Sequence, residues 1–340
     1  MKYPECQSCI GNQISQFLEY SKTYLAPSSY EHRYSQLVRF DSFLAENGYT
    51  GGDINEQTVN AWIQTLTPFS DSTIMTYVVS VRKFLEYLNV MGVAHCYIPP
   101  IKTVADSYVA HYFSDEELDS IYSFADDYPC GGRNPLPYIK AELPMVLRIL
   151  ESCGTRLTET LSLQMKHVDI KHGILTIVHA KKDKERIVPM SESLRSILER
   201  YCMAMGIIQN PEAFIFPKLD FSSHLEKHDI GNRFSYILKW SKLGSNSRKK
   251  FSRGICPHCF RHCFALKSFK QLEAQGIHLN DAVPYLSIYL GHDSLMETEK
   301  YLRFSAEMYP DELCMFDKAS SPAFPDDGIW SDLYAEEVML

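Results

Sequence analysis

The sequence predicts a mainly α-helical protein of two domains, an N-terminal helical bundle and a mostly α second domain that contains a small three-stranded antiparallel sheet. Three observations predict this fold class. The 340 residues are enough for about two domains with separate cores. Apolar residues recur at helical spacing along most of the chain. Between residues 167 and 190 the period changes to that of short strands.

The first domain, residues 1–98, is predicted to contain four amphipathic helices. Asn47-Gly48 ends the second helix, the third ends near Pro68, and Ser70 or Asp71 caps the fourth. Residues 99–111, which open with two prolines, are predicted to be a linker. The apolar positions that define the helices are Ile14, Phe17, Leu18 and Leu25; Tyr34, Leu37, Val38, Phe40 and Leu44; Val59, Trp62, Ile63 and Leu66; and Ile74, Tyr77, Val78, Val81, Phe84, Leu85 and Leu88.

The second domain, residues 112–304, opens with a helix that a capping box of Ser114 and Glu117 predicts. Residues 129–137, with three prolines and two glycines, predict a surface loop. A helix through residues 145–150 ends at Gly154, and another begins at Thr158.

Three short strands are predicted next, at residues 167–170, 174–178 and 186–190. The second and third flank a polar turn at residues 180–185, so they form an antiparallel hairpin. Helices then resume at Glu192 and are predicted to continue to about residue 304.

The charge distribution differs strongly between regions of the chain. The formal net charge is −8, and nine acidic residues and one lysine between Glu307 and the end carry all of it, so residues 1–306 are neutral. Within that neutral part, residues 230–272 contain ten basic residues and no acidic one. Such a block is either a solvated face or a surface for phosphate groups.

Composition excludes several classes of protein. No apolar run approaches the roughly 18 residues that cross a bilayer, and the N-terminus lacks the layout of a secretory signal, so a cytoplasmic protein is predicted. The ten cysteines are too sparse for a disulfide scaffold. Cys6 and Cys9, and Cys256 and Cys259 with Cys263 beyond, have metal-type spacing, but the two groups are far apart in sequence. Reduced thiols are favoured over zinc ligands.

Four separated segments contain residues suited to phosphate chemistry. Each alone has an ordinary explanation, such as an ion pair three residues apart, a polar turn, a helical histidine pair or a common tripeptide. The segments are Gly154-Thr155-Arg156-Leu157-Thr158-Glu159, the turn at Lys181, Pro257-His258-Cys259-Phe260-Arg261-His262, and Leu290-Gly291-His292 with Tyr301 nine residues later.

In this order, the four segments resemble the catalytic domain of the tyrosine recombinase (phage integrase) family. The hairpin adds the pattern Lys184-Glu185-Arg186-Ile187-Val188-Pro189, which is similar to the Lys-x-Arg-x-Val-Pro of that family. The resemblance covers about residues 112–304, and the upstream bundle agrees in size and position with the family's SAM-like core-binding domain. It implies a site-specific DNA recombinase that cuts and rejoins duplex DNA through a 3′-phosphotyrosyl intermediate, for the integration or excision of a mobile element.

The resemblance also implies roles for individual residues. Arg156 and Arg261 stabilise the phosphate in the transition state, since a guanidinium donates paired hydrogen bonds and keeps its charge. Tyr301 is the nucleophile, and the cations around it offset a reference pKa of ~10. His258 accepts the tyrosine proton and His292 hydrogen-bonds the phosphate. Lys181 protonates the leaving oxygen, although the family's usual Gly-Lys-Gly is Ala180-Lys181-Lys182 here and Lys182 is an alternative.

Further expectations concern the surroundings of the site. Glu159 orients Arg156 without touching DNA, and no metal or nucleotide cofactor takes part. The expected partners are double-stranded DNA and a homo-tetramer assembled on it, without a membrane. Four basic residues are expected to contact DNA, namely Arg248, Lys249, Lys250 and Arg253.

Residues 305–340 form an acidic tail with a possible final helix capped by Asp326 or Asp327. That helix packs either on its own domain or, as the family resemblance implies, on a neighbouring protomer. The apolar stripe of the helix consists of Ile329, Trp330, Leu333, Tyr334 and Val338.

Three other functions stay open: a type IB topoisomerase, a catalytically silent DNA-binding architectural protein, and a zinc-dependent interaction module.

Overall fold

The computed structural model describes residues 6–103, 109–129, 136–178, 185–243, 254–292 and 294–299. The chain forms two compact units: the described residues 6–103 belong to the first, and the described residues from 109 onward belong to the second. Parts of the predicted linker, of the proline-rich loop and of the hairpin turn lie outside the described residues, as does the acidic tail. The predicted fold class is confirmed: the protein is mostly helical with one small antiparallel sheet.

The first unit contains four helices among its described residues: α1 (Gly11–Lys22), α2 (Pro27–Glu46), α3 (Glu56–Gln64) and α4 (Asp71–Val90). Their ends follow the polar residues of the sequence. The Ser70 hydroxyl accepts a hydrogen bond from the Thr73 amide at the start of α4, and Asn47 with left-handed Gly48 ends α2. An apolar core forms where the inner faces meet, with Phe40 packed edge-on against Trp62 at 5.1 Å.

The second unit contains eight α-helices in its described part. Ser114 and Glu117 form the predicted capping box at the start of the first of them, with hydrogen bonds of 3.2 and 3.0 Å. The helices are α5 (Asp115–Asp126), α6 (Ile139–Cys153), α7 (Leu157–Leu161), α8 (Glu192–Ala204), α9 (Lys227–Trp240), α10 (His258–Ala274), α11 (Leu279–Leu290) and α12 (Leu295–Glu299).

The sheet consists of β1 (Val168–Asp169), β2 (Ile174–Ile177) and β3 (Arg186–Pro189), paired antiparallel in that order. All three strands lie inside the predicted ranges and are shorter than predicted. The register pairs Ile177 with Arg186, so Arg186 is the first residue of β3 after the hairpin turn.

One prediction for the second unit is wrong, because residues 205–226 are not helical. Gly206 has a left-handed backbone, and Pro211 and Pro217 remove amide donors that a helix needs. The segment instead pairs with the chain just before β1: the Met165 amide donates to the Ala213 carbonyl at 2.9 Å, and the Ile215 amide to the Leu163 carbonyl at 2.8 Å.

Helix α6 lies in the core of the second unit and packs against α5, α7, α8 and α10. Its buried face includes Leu143, Val146, Leu147 and Leu150. Helices α10 and α11 share a smaller apolar cluster. No described helix has both the length and the apolar content to cross a membrane.

Candidate active site

Two helices of the second unit end at glycines with left-handed backbone conformations, and both ends lie at the candidate site. Gly154 follows α6 with φ 59°, and Gly291 follows α11 with φ 66°. A Cβ atom on Gly154 would lie 2.3 Å from a ring carbon of Phe264, so a side chain at this position is excluded. The carbonyl groups around these turns become acceptors for arginines.

Arg261 connects the two helix ends. Its side chain is fully buried in the first turns of α10. Nη1 donates to the Gly154 carbonyl at 2.7 Å, and Nη2 donates to the Leu290 carbonyl at 2.8 Å and to His292 Nε2 at 2.9 Å. These bonds fix the plane of the guanidinium before any ligand binds.

Arg156 is the residue before the first turn of α7, and about a quarter of its side chain is exposed. Its Nη2 donates to the Gly291 carbonyl at 3.0 Å. Its Nη1 and its backbone amide each donate to the Glu159 carboxylate at 2.8 Å. Glu159 therefore orients Arg156 from the base of the site, and its buried side chain is screened from solvent.

Arg186 is a third arginine of the site, and sequence reasoning assigned no role to it. Its Nη2 and Nη1 donate to the two oxygens of Glu159 at 2.6 and 3.1 Å. Burial acts to raise the pKa of Glu159, but the hydrogen bonds and charge of Arg186, followed by the bonds from Arg156, outweigh it and lower the pKa to about 2. The Lys-x-Arg-x-Val-Pro pattern was the signal that could have identified Arg186.

His292 lies beside Arg261, directly after Gly291. Its Nε2 accepts the bond from Arg261, and its Nδ1 is 2.6 Å from the hydroxyl of Thr298 on α12. Burial, followed by the charge of Arg261 and of the neighbouring cations, lowers the pKa of His292 to about 3. The imidazole is therefore neutral near neutral pH.

His258 occupies the first position of α10 and is exposed. Its ring meets that of His262 edge-on, with centroids 5.0 Å apart. His258 is near enough for its charge to contribute to the lowered pKa of His292. It thus lies on the solvent side of the cluster, where a substrate can reach it.

The sequence profile of the phage integrase family matches residues 111–308. The chain belongs to this family, the tyrosine recombinases. The family resemblance inferred from the four segments is thus confirmed.

Individual relatives agree with this identification. A tyrosine recombinase of Pseudothermotoga lettingae is 23 % identical over 272 residues, which cover 78 % of this chain and 83 % of the relative. XerD of Pseudomonas putida is 29 % identical over 160 residues, 46 % of this chain and 47 % of XerD. The structure of the XerH site-specific recombinase bound to its difH substrate has the same fold, with a TM-score of 0.65 and 16 % identity over 92 % of this chain and 86 % of XerH. This chain is a site-specific recombinase of the tyrosine type.

Among the predicted site residues of the recombinase, the structure brings together Arg156, Glu159, Arg261 and His292, with His258 at the rim. The remaining predicted residues lie outside the described ranges. They are Lys181 and its alternative Lys182, Tyr301, Arg248, Lys249, Lys250 and Arg253.

The cysteines of the recombinase give no indication of a metal centre in the described part of the chain. Cys259 and Cys263 are buried on α10, and burial raises the pKa of Cys263 to about 11. Among the described residues, no three or more histidine, cysteine or acidic side chains are placed to hold a metal ion.

The arrangement favours an anion with several oxygens. Two guanidinium groups and a neutral imidazole lie side by side, held by carbonyl groups and by a buried carboxylate. Since the two guanidinium groups are fixed in advance, charge that develops on a bound phosphate would be stabilised without reorientation of the arginines.

Proposed function

We propose that this recombinase cuts and rejoins duplex DNA through a 3′-phosphotyrosyl intermediate on Tyr301, and that it integrates or excises a mobile element. The observation that supports the proposal most is the meeting of Arg156, Arg261 and His292 at one place, although Arg156 is more than a hundred residues from the other two in the sequence. Tyr301 follows two residues after the end of α12 in the sequence, and Thr298 of that helix contacts His292.

The cleavage step is proposed as follows. The Tyr301 oxygen attacks the scissile phosphorus and its proton goes to His258. The bond from phosphorus to the 5′ oxygen breaks, and Lys181 supplies the proton that makes a 5′-hydroxyl; Lys182 is the alternative donor. Arg156 and Arg261 stabilise the charge on the non-bridging oxygens, and His292 hydrogen-bonds one of them.

Rejoining reverses this step on a second strand. The 5′-hydroxyl of the other strand attacks the phosphotyrosyl phosphorus, the bond to Tyr301 breaks, and a new phosphodiester forms. One phosphodiester is replaced by another at every stage, so no nucleotide cofactor is required. This balance favours strand exchange over hydrolysis.

Duplex DNA is the proposed partner. The structural relatives include XerH bound to difH substrate and a lambda integrase dimer bound to a core site, which supports a DNA-binding role for this chain. The four-helix unit is proposed as the core-binding domain, and Arg248, Lys249, Lys250 and Arg253 as phosphate contacts. Binding should then weaken steeply with salt, because phosphate contacts release counterions.

A homo-tetramer on DNA is the proposed assembly, with the helix at residues 326–338 passed to a neighbouring protomer. A chain truncated after Ala319 should bind one site and fail to form the tetramer. Full tetramer assembly and strand exchange by the truncated chain would contradict this arrangement.

A direct test first obtains a target duplex by selecting bound sequences from a random oligonucleotide pool. Plasmids with two copies of that sequence are then assayed for recombination and, in parallel, for relaxation of supercoils. Recombination by the wild type and none by Tyr301→Phe is expected. Relaxation without joining of the two sites would favour a type IB topoisomerase, and DNA binding without a covalent adduct would favour an architectural protein.

A further inference from the structure

Thr298 is a buried polar residue at the site that sequence reasoning did not identify. Its side chain is fully buried on α12, three residues before Tyr301 in the sequence. Its hydroxyl oxygen lies 2.6 Å from Nδ1 of His292. Burial of a hydroxyl lowers the stability of the folded state unless the hydroxyl forms a hydrogen bond.

The contacts of His292 determine which of its nitrogens carries the proton. An arginine nitrogen only donates, so the bond of 2.9 Å from Arg261 Nη2 requires a lone pair on His292 Nε2. A neutral imidazole has a single N–H, which must then be on Nδ1. The lowered pKa of His292 makes the doubly protonated form negligible near neutral pH. In the free enzyme, Nδ1–H therefore donates to the Thr298 oxygen.

This tautomer is unsuited to the role proposed for His292. A phosphate oxygen accepts hydrogen bonds, and Nε2 without a proton cannot donate one. The other neutral tautomer, with the proton on Nε2, can donate to a phosphate, but its Nδ1 then needs a donor. A threonine hydroxyl both donates and accepts, so Thr298 can satisfy either tautomer by rotation about its C–O bond.

We propose that Thr298 is a positioning residue that switches the tautomer of His292 when a phosphate enters the site. The hydroxyl accepts from Nδ1–H in the free enzyme and donates to Nδ1 in the complex. The bond from Arg261 Nη2 to Nε2 then breaks, Nε2–H donates to a non-bridging oxygen, and the released Arg261 N–H donates to the phosphate as well. One proton leaves Nδ1 for water and one reaches Nε2 from water, and the total charge is unchanged. The inference rests on the proposed function, in which His292 binds the phosphate.

The matched variants are Thr298→Val, which keeps the shape and removes the hydroxyl, and Thr298→Ser, which keeps the hydroxyl. Single-turnover cleavage of the selected duplex by the valine variant should fall about 10- to 100-fold, as for loss of one buried hydrogen bond in the transition state. The serine variant should stay within about threefold of the wild type. Equal rates for the valine and serine variants would overturn the proposal.

A double-mutant cycle separates this role from simple packing of α12. If Thr298 acts through His292, adding Thr298→Val to His292→Ala should change the cleavage rate by less than about threefold. If Thr298→Val lowers the cleavage rate by the same factor in the wild type and in His292→Ala, the hydroxyl acts on the fold and the proposal is overturned.

The tautomer itself is measured by nitrogen NMR of the full chain labelled with ¹⁵N-histidine, with orthovanadate as the phosphate probe. Without vanadate, His292 of the wild type and of the serine variant should be protonated on Nδ1. At saturating vanadate, it should be protonated on Nε2 in both. A wild type that keeps the proton on Nδ1 with vanadate bound would overturn the inference. If the selected duplex instead yields no covalent adduct with the wild type, the proposed function fails, whichever tautomer NMR shows.

Discussion

The two units of the recombinase bury polar side chains in different ways. In the first unit, buried polar groups join neighbouring helices: Arg33 on α2 donates to the hydroxyls of Ser21 and Tyr24, on and just after α1. In the second unit, Arg261, Glu159 and Thr298 come from separate segments and meet at one site. The first arrangement holds neighbouring helices together. The second carries the desolvation cost of several polar groups, as expected of a site whose donors are oriented for a reaction.

The largest effect should come from Arg261→Ala. The substitution removes a fixed donor to the transition-state phosphate, so cleavage of the selected duplex should fall roughly a thousandfold, while binding of the uncleaved duplex changes little. Single-turnover adduct formation and gel-shift titration measure the two quantities.

Arg33→Met is the matched control, since it replaces a buried arginine of the other unit. It should lower the unfolding temperature and leave the cleavage rate of bound enzyme within about threefold. Equal loss of binding and cleavage in Arg261→Ala would make Arg261 a docking residue and remove the contrast between the units.

A core substitution in the first unit should act on stability. Phe84 is fully buried and packs against Phe17 with ring centroids 5.6 Å apart, so Phe84→Ala should cost about 3–5 kcal/mol of unfolding free energy. Urea denaturation measures this loss. Tyr20→Ala, on the exposed part of α1, should change stability by less than about 0.5 kcal/mol. Similar losses for both variants would contradict the described core.

Glu159→Gln and Arg186→Met should each lower cleavage about 10- to 100-fold, because both loosen Arg156. Because they act through the same carboxylate, the double variant should be no slower than the worse single one. Arg195→Met, which breaks an exposed ion pair with Glu192, is the control and should have no effect on cleavage. Multiplicative losses in the double variant would mean that Arg186 acts independently of Glu159.

The smallest effect concerns pH. The pKa of His292 falls from 6.5 to about 3 on folding, so between these values the unfolded chain binds a proton that the native protein does not. The contribution of His292 to stability is thus present above pH 6.5 and is lost as pH falls toward 3. Between pH 7 and 5, the unfolding free energy of His292→Gln should depend less on pH than that of the wild type. That range lies above the interval in which Glu159 titrates. If the unfolding free energies of the wild type and of His292→Gln change in parallel with pH, the imidazole is not held neutral in the native protein.

Sequence reasoning was successful where local chemistry determines the structure. Helical spacing and caps such as Ser70 and Ser114 predicted the helices, and the polar turn predicted the hairpin. It failed at residues 205–226, whose backbone bonds go to residues 163–165, a pairing that no local pattern reveals.

The same distinction holds at the site. Arg156, Glu159, Arg261 and His292 were predicted because their types and order carry a family pattern. Arg186 and Thr298 were not assigned roles, since their importance comes from contacts with Glu159 and His292 across the fold. The carbonyl acceptors near Gly154 and Gly291 were missed for the same reason, because backbone groups leave no mark on the sequence.

Joining of one tyrosine to phosphorus at this cluster of arginines is the step on which the proposed function depends. The most direct measurement traps the wild-type enzyme on a nicked version of the selected duplex and maps the DNA-linked peptide by mass spectrometry. We expect a phosphotyrosyl bond at Tyr301, and no DNA-linked peptide from Tyr301→Phe. A bond at Tyr285, Tyr289 or Tyr309 would contradict it.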